Sequence, residues 1–393
     1  MNPTTHSEGG FSLVAGGPTY RLQVWLGLIK PGSPGFAKRV ALLILLTWVV
    51  SLVISALEGR AVGQSVAMPF LHDFHAYALY LITLPLLILA ERVIEQQLPR
   101  VAAHFVRCDL VTKAEVGAYQ SALARAARWR DSSLVEAALL GLTAVSVVTA
   151  SHEFPFDFSS WRSLVSGTVH TRTVAGWWEL VVGRGLVQFL CWRWLWRLFI
   201  WYGFLWRMSK LDLRLIPTHP DRAAGLGFVG DGQRFFWVIV VAISAGIAGG
   251  LADEVIFVGV PLKSYAFAIG GFVVLVLLVF LGPLLMFTPR MIKARIKSVH
   301  EYSALAVAHH RAFDQKWVQG VDPKKDALLG APEISSLADL GGAYEVLADM
   351  RPVPFDPSDA LALVMASLFP IAPLLLTVYP LDELVQLLWK LMI

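Results

Sequence analysis

Long apolar runs separated by short polar or basic stretches dominate the chain, and seven of them approach the ~20 residues that carry a helix across a bilayer. Val40 to Leu57 is the first, introduced by Pro34-Gly35 and Lys38-Arg39 and closed by Glu58-Gly59-Arg60. Phe74 to Val93 follows, with Pro85 inside it, a break that neighbouring membrane helices can accommodate. Ser132 to Ala150 is the third. Leu180 to Trp206 is the fourth, and it carries Arg184, Arg193 and Arg197 among Trp192, Trp194, Trp196, Trp201 and Trp206. Phe235 to Leu251 is rich in small residues near its end, with Gly246, Gly249 and Gly250 allowing close helix contact between protomers or around a pore. Tyr265 to Phe287 stops at Pro289-Arg290, and Asp359 to Tyr379 has Pro370 and Pro373 in its second half.

This pattern predicts an all-α, polytopic transmembrane bundle of about seven spans, with Pro380 to Ile393 as a C-terminal re-entrant or amphipathic helix. Residues 1–39 form an N-terminal segment and 40–289 the bundle of six spans, which includes a helical segment at 91–131 and an interface loop at 207–234. In 290–358, Ile292, Ile296 and Val299 continue the sixth span as a helix leaving the membrane, and Leu337, Leu340, Tyr344 and Leu347 mark a second helix. The two make an extramembrane hairpin, returned by Pro352-Val353-Pro354-Phe355-Asp356-Pro357 to the last span and tail at 359–393. Neither a strand pattern nor a repeat is visible.

Charge orients the bundle. With the N-terminus cytoplasmic, the inner segments hold 25 Lys and Arg in 177 residues, against 5 in 72 outside. This twofold bias is the positive-inside pattern of a multi-pass protein with its N-terminus in the cytoplasm and its C-terminus outside. The formal charge of +4 is therefore a matter of topology, and nucleic acid is not an expected partner. Composition agrees: 56% of residues are hydrophobic and only 16% charged, and mean hydropathy is +0.60. That excludes an ordinary soluble domain. No cleaved signal peptide is expected, since no basic stretch is followed by an apolar core and a small-residue cleavage site. Cys108 and Cys191 lie in a polar and an apolar segment and are read as free thiols.

Reaction motifs are lacking: there is no H-E-x-x-H, no phosphate-binding P-loop and no G-x-S-x-G, and no cofactor is expected. The loop from Leu211 to Gly232 contains a formal G-x-G-x-x-G from Gly225 to Gly230, but a membrane span follows instead of a soluble βαβ unit. His219, Asp221, Arg222 and Asp231 are its ligand candidates for a cation or a phosphate, and Gly225, Gly227 and Gly230 its structural glycines, with positive φ expected at Gly225 and Gly227. The alternative is a cap in which Asp221 accepts backbone N–H groups. Pro217-Thr218-His219-Pro220-Asp221-Arg222, then Gly225-Leu226-Gly227-Phe228, with the terminal Phe369-Pro370-Ile371-Ala372-Pro373, resembles a family of bacterial polytopic inner-membrane proteins of unassigned activity. The resemblance implies a bacterial source and no chemistry.

Arg193 and Arg197 lie one helical turn apart on one face, with Arg184 roughly opposite. They either line a path through the bundle or belong to an interfacial belt with the tryptophans. Outside, His72, Asp73 and His75, with His152 in another loop, form a candidate metal or proton-sensing set. The resulting expectation is a channel or transporter for a small ion, working as a homo-oligomer among membrane lipids, and anion-selective where Arg193 and Arg197 line the path. The alternatives are a membrane enzyme acting on a phosphorylated or lipid-linked substrate at the 207–234 loop, and a scaffold or regulator working through the 290–358 hairpin.

Overall fold

A computed structural model describes residues 11–29, 35–320 and 332–377. These form α1 (Pro18–Trp25), α2 (Phe36–Leu57), α3 (Phe74–Arg107), α4 (Val116–Arg130), α5 (Ser133–Ser151), α6 (174–210), α7 (Phe228–Val258), α8 (Leu262–Val318), α9 (Pro332–Ala348) and α10 (Pro357–Leu368). The protein is an all-helical bundle, and α2, α3, α5, α7 and α8 are long and apolar enough to cross a membrane. Two of the seven expected crossings do not meet that standard. At 1.5 Å per residue α6 is ~55 Å long, but its arginines and other polar residues dilute it. The 12 residues of α10 reach only ~18 Å, well short of a ~30 Å hydrocarbon core. Pro370 and Pro373 forbid its continuation, and a 3-10 turn, Ala372–Thr377, follows. The expected tail from Pro380 to Ile393 lies outside the described residues, as do 321–331 within the hairpin.

A two-stranded antiparallel hairpin, Ser163–Ser166 with Val169–Arg172, corrects the expectation of no strands. Its signal is short: Gly167-Thr168 makes a two-residue turn, with Gly167 at φ 62°, between Val- and Thr-containing arms. The second departure is the glycine face of α7, which packs within the chain. A Cβ on Gly249 would collide with Ala78 and the backbone of His75, and one on Gly246 would press on Leu79 and Thr83, so α7 lies directly on α3.

In the helical hairpin of α8 and α9 the apolar stripe of α9 is used, with Leu347 buried and Leu337, Leu340 and Tyr344 half-buried, whereas Ile292 and Ile296 of α8 are exposed. α8 continues past Pro289 and pairs antiparallel with α9, through Arg295 to the Ala348 carbonyl at 2.5 Å, Ser303 to Tyr344 at 3.4 Å and His309 to Ser336 at 3.2 Å. The return ends in a capping box: the Asp356 carboxylate accepts Ser358 N–H at 3.0 Å, and Asp359 accepts Asp356 N–H at 2.7 Å.

α2, α3 and α6 each contain one wide π-helical turn, at Leu45–Val49, Ala78–Thr83 and Glu179–Arg184, and the first touches the other two. Such turns release carbonyls from the helical ladder, which side chains then use. Trp178 donates its indole N–H to the Leu46 carbonyl at 2.9 Å, and Tyr80 donates to Glu179 at 3.0 Å. α2, α3 and α6 are thereby locked at mid-depth, with a charged cluster on either side.

Candidate functional site

The first cluster lies at the end of the bundle where α2 and α5 begin. Glu91 shares the inward face of α3 with Leu87, Ile94 and Leu98, and is 3% exposed. Arg39 sits in the first turn of α2, where a cation opposes the helix dipole, and its compensation is an ion pair with Glu91. From α6, Arg197 Nη1 reaches Glu91 Oε1 at 2.8 Å while its guanidinium lies 4.7 Å over the Trp194 ring. Arg193, one turn earlier, stands 3.9 Å from Glu91 Oε1 and 3.8 Å from Glu136 Oε1. Glu136 occupies the first turn of α5, where the dipole favours a carboxylate.

Arg193 is 6% exposed, yet among the described residues it makes no hydrogen bond, and its Nη1 is buried without a partner. Its two carboxylate neighbours stand beyond hydrogen-bond range: Arg39 and Arg197 hold Glu91, and Glu136 is held through its other oxygen by Thr19 N–H. Three guanidiniums thus meet Glu91 and Glu136, with Glu95 a further partly buried carboxylate near Arg197, and Arg193 is the one of the three left without a hydrogen bond in a low-dielectric interior. Such a donor is costly to leave unsatisfied and is poised to take a small anion.

Arg193 and Arg197 therefore point into the bundle, while Arg184 is exposed on another face. The tryptophans divide: Trp194 and Trp201 are core residues, donating to the Leu87 carbonyl at 3.1 Å and to Gln233 at 3.2 Å, and Trp206 is exposed. Arg39, Glu91 and Glu136 are absent from the sequence-derived candidates. Each stands at the edge of an apolar run, where a charge reads as a boundary. The one available signal was a cation in the first turn of α2.

The second cluster caps the opposite end. Asp73 is fully buried and accepts Ala76 N–H at 2.7 Å and the Trp161 indole at 2.7 Å, while pairing with Arg162 at 2.6 Å. Asp253, from α7, accepts the two preceding N–H groups, Phe74 at 2.9 Å and His75 at 3.3 Å. Two carboxylates and an arginine thus close the start of α3. His75 Nδ1 is 3.2 Å from the Gly246 carbonyl, and His72 and His152 are exposed. Among the described residues no three His, Cys, Asp or Glu side chains are grouped to hold a metal ion, so His72, Asp73, His75 and His152 are not assembled as a metal centre.

In the 207–234 loop, Asp221 Oδ1 accepts Ala223 N–H at 2.8 Å and Gly225 N–H at 3.1 Å, and Oδ2 accepts Gly227 N–H at 2.9 Å. His219 Nδ1 lies 2.9 Å from the same carboxylate. Burial opposes its charge, but these backbone donors and His219 hold the Asp221 carboxyl below the usual range. Arg222 faces Asp349 at 3.5 Å, and Asp231 is exposed at the start of α7. Gly225 has φ 84°, as expected, and Arg222 and Ala224 are also left-handed. Gly227 corrects the expectation: its φ is −55°, and it is small because the Asp221 carboxylate occupies the space of a side chain. Gly230 lets the chain at Pro354 and Phe355 approach α7 directly.

No protein-family model matches the chain, and neither the curated proteins nor the solved structures contain a match to it.

Proposed function

We propose that the protein is a multi-pass bacterial inner-membrane channel or transporter for a small anion, with its N-terminus in the cytoplasm. The single observation that supports this reading is Arg193: a guanidinium without a hydrogen bond, buried between α3, α5 and α6. Ionisable groups inside a membrane bundle mark ion pathways, because their insertion cost is tolerated only for function or pairing, and the pairing of Arg193 is loose, with two carboxylates at 3.8 and 3.9 Å and no hydrogen bond. The cluster occupies the first turns of α2 and α5, which puts it at the inner headgroup level under this topology. It is shielded from lipid, so an ion would approach it from water. In this reading α6 and the segment from Asp359 to Tyr379 complete seven crossings beside the five apolar helices. The resemblance of the 217–228 loop to bacterial membrane proteins is in keeping with the location. A homo-oligomer draws no support from the α7 glycines, which are used within the chain.

The enzyme alternative rests on Asp221, whose oxygens are taken by three backbone N–H groups. That favours the cap. The test is reconstitution in liposomes under a chloride gradient. Arg193→Gln should shift the reversal potential and Arg184→Gln should not, and wild-type protein that passes no anion current or labelled anion would overturn the reading.

A further inference from the structure

Residues 11–19 run as a strap across the end of the bundle that holds the arginine cluster. Phe11 is buried, with its ring 5.4 Å from Trp201 and 5.0 Å from Phe204, and Leu13 is 2% exposed. An apolar segment this deeply seated beside α6 seals whatever lies beneath it. The strap's polar attachments are few. Val14 N–H donates to Glu95 at 3.2 Å, Arg130 donates to the Ser12 carbonyl at 3.3 Å, and Thr19 N–H donates to Glu136 Oε2 at 2.7 Å. Gly17, at φ 83°, lies against the Arg130 carbonyl and Glu136, where a Cβ would be crowded.

Glu136 is the shared element. One of its oxygens holds the strap at Thr19 and the other is the nearest carboxylate oxygen to Arg193. We propose that Arg193 binds a small inorganic anion, that the strap from Phe11 to Thr19 is the plug of that site, and that Glu136 couples the two. This rests on the conduction reading, whose site it regulates. With the site empty, Glu136 supplies the countercharge to Arg193 and anchors the strap. An anion arriving at the free Arg193 fork brings a second negative charge close to Glu136 in a poorly screened interior. The repulsion acts on a carboxylate only one turn from the start of α5, and moving it removes the acceptor for Thr19 N–H. The strap then loses its Thr19 attachment while keeping those to Glu95, Arg130 and Asp131, and opens more often, so the anion promotes its own passage. Glu91 does not serve this role, because Arg39 and Arg197 hold it in place.

Hydrogen exchange tests the coupling without relying on transport. Full-length protein in detergent is compared in potassium chloride and in potassium gluconate of equal ionic strength, following the peptide that contains Val14 and Thr19. Chloride should speed its exchange about tenfold, the equivalent of losing one charge-assisted hydrogen bond. Arg193→Gln should abolish the chloride effect, and Glu136→Gln, which keeps an acceptor for Thr19, should flatten it. In liposomes, Phe11→Ala should raise anion flux without changing selectivity. If chloride leaves the exchange unchanged in wild-type protein, or accelerates it equally in Arg193→Gln, the coupling is wrong, even where anion flux is measured. If exchange responds through Arg193 but neither wild type nor Phe11→Ala carries anions, the binding and the strap response stand and the conduction reading fails alone.

Discussion

Arg197 Nη1 and Glu91 Oε1 meet at 2.8 Å across the interface of α6 and α3, and this contact directs the arginine-bearing face of α6 toward the interior. Because Arg39 grips the same carboxylate, Glu91 is the pin that holds α2, α3 and α6 at one level.

Removing that pin should be severe. Glu91→Ala leaves three buried guanidiniums without their shared partner, and breaking a buried pair by deleting one member costs about 3–5 kcal/mol. Thermal unfolding in detergent should show a large loss for Glu91→Ala. Pairing it with Arg197→Met should recover part of the loss, a coupling that a double-mutant cycle measures.

Asp221 should behave as a cap. Asp221→Asn keeps one acceptor oxygen but turns an amide NH2 toward the Gly227 N–H, so folded yield should fall, by the ~1–2 kcal/mol typical of a lost cap. Its carboxyl titrates lower in the folded protein than in the unfolded chain. The stability it contributes is therefore fully present above the unfolded value of ~3.9 and is lost as pH falls through the folded value. Wild-type unfolding midpoints should drop more steeply below about pH 4 than those of Asp221→Asn, and parallel curves would remove Asp221 from this role.

Two glycines offer a matched comparison. Gly230→Ala places a methyl against the Pro354 carbonyl and Phe355, and overpacking of this kind costs ~1–3 kcal/mol. Gly141, in α5, has open space where its Cβ would be, so Gly141→Ala should be neutral or stabilising by up to ~1 kcal/mol. Melting temperatures of the two variants check both values, and equal effects would mean that the segment at Pro354 does not rest on α7.

Topology can be read with single-cysteine labelling. Under the proposed orientation, cysteines at Gly63 and Gly259 should react with an impermeant reagent from outside and one at Lys113 only from inside. A reporter fused after residue 393 should be outside if the chain crosses seven times and inside if the Pro357–Tyr379 segment turns back.

The sequence by itself determined the helical class, the five helices long and apolar enough to cross a membrane and the pairing of α8 with α9, because runs of apolar residues and a 3.6-residue stripe are local signals. It also offered Asp221 as a cap beside its reading as a ligand, since Asp-Arg-x-x-Gly is written in consecutive residues, whereas Asp356 was legible only as part of a stiff return and its capping box came from the structure. Two of the seven expected crossings, α6 and α10, lacked the length or apolarity to stand alone, and only packing can place them. The arginine cluster was half legible: Arg193 and Arg197 stood out in an apolar run, but Glu91, Glu136 and Arg39 looked like run boundaries. Which way Arg193 points, and what it meets, is set by Glu136 and Glu91, 57 and 102 residues away in the chain, on two other helices. No periodicity within α6 encodes that choice. It was decided by the desolvation cost of charge, which drew the guanidiniums onto Glu91 and left Arg193 without a hydrogen bond.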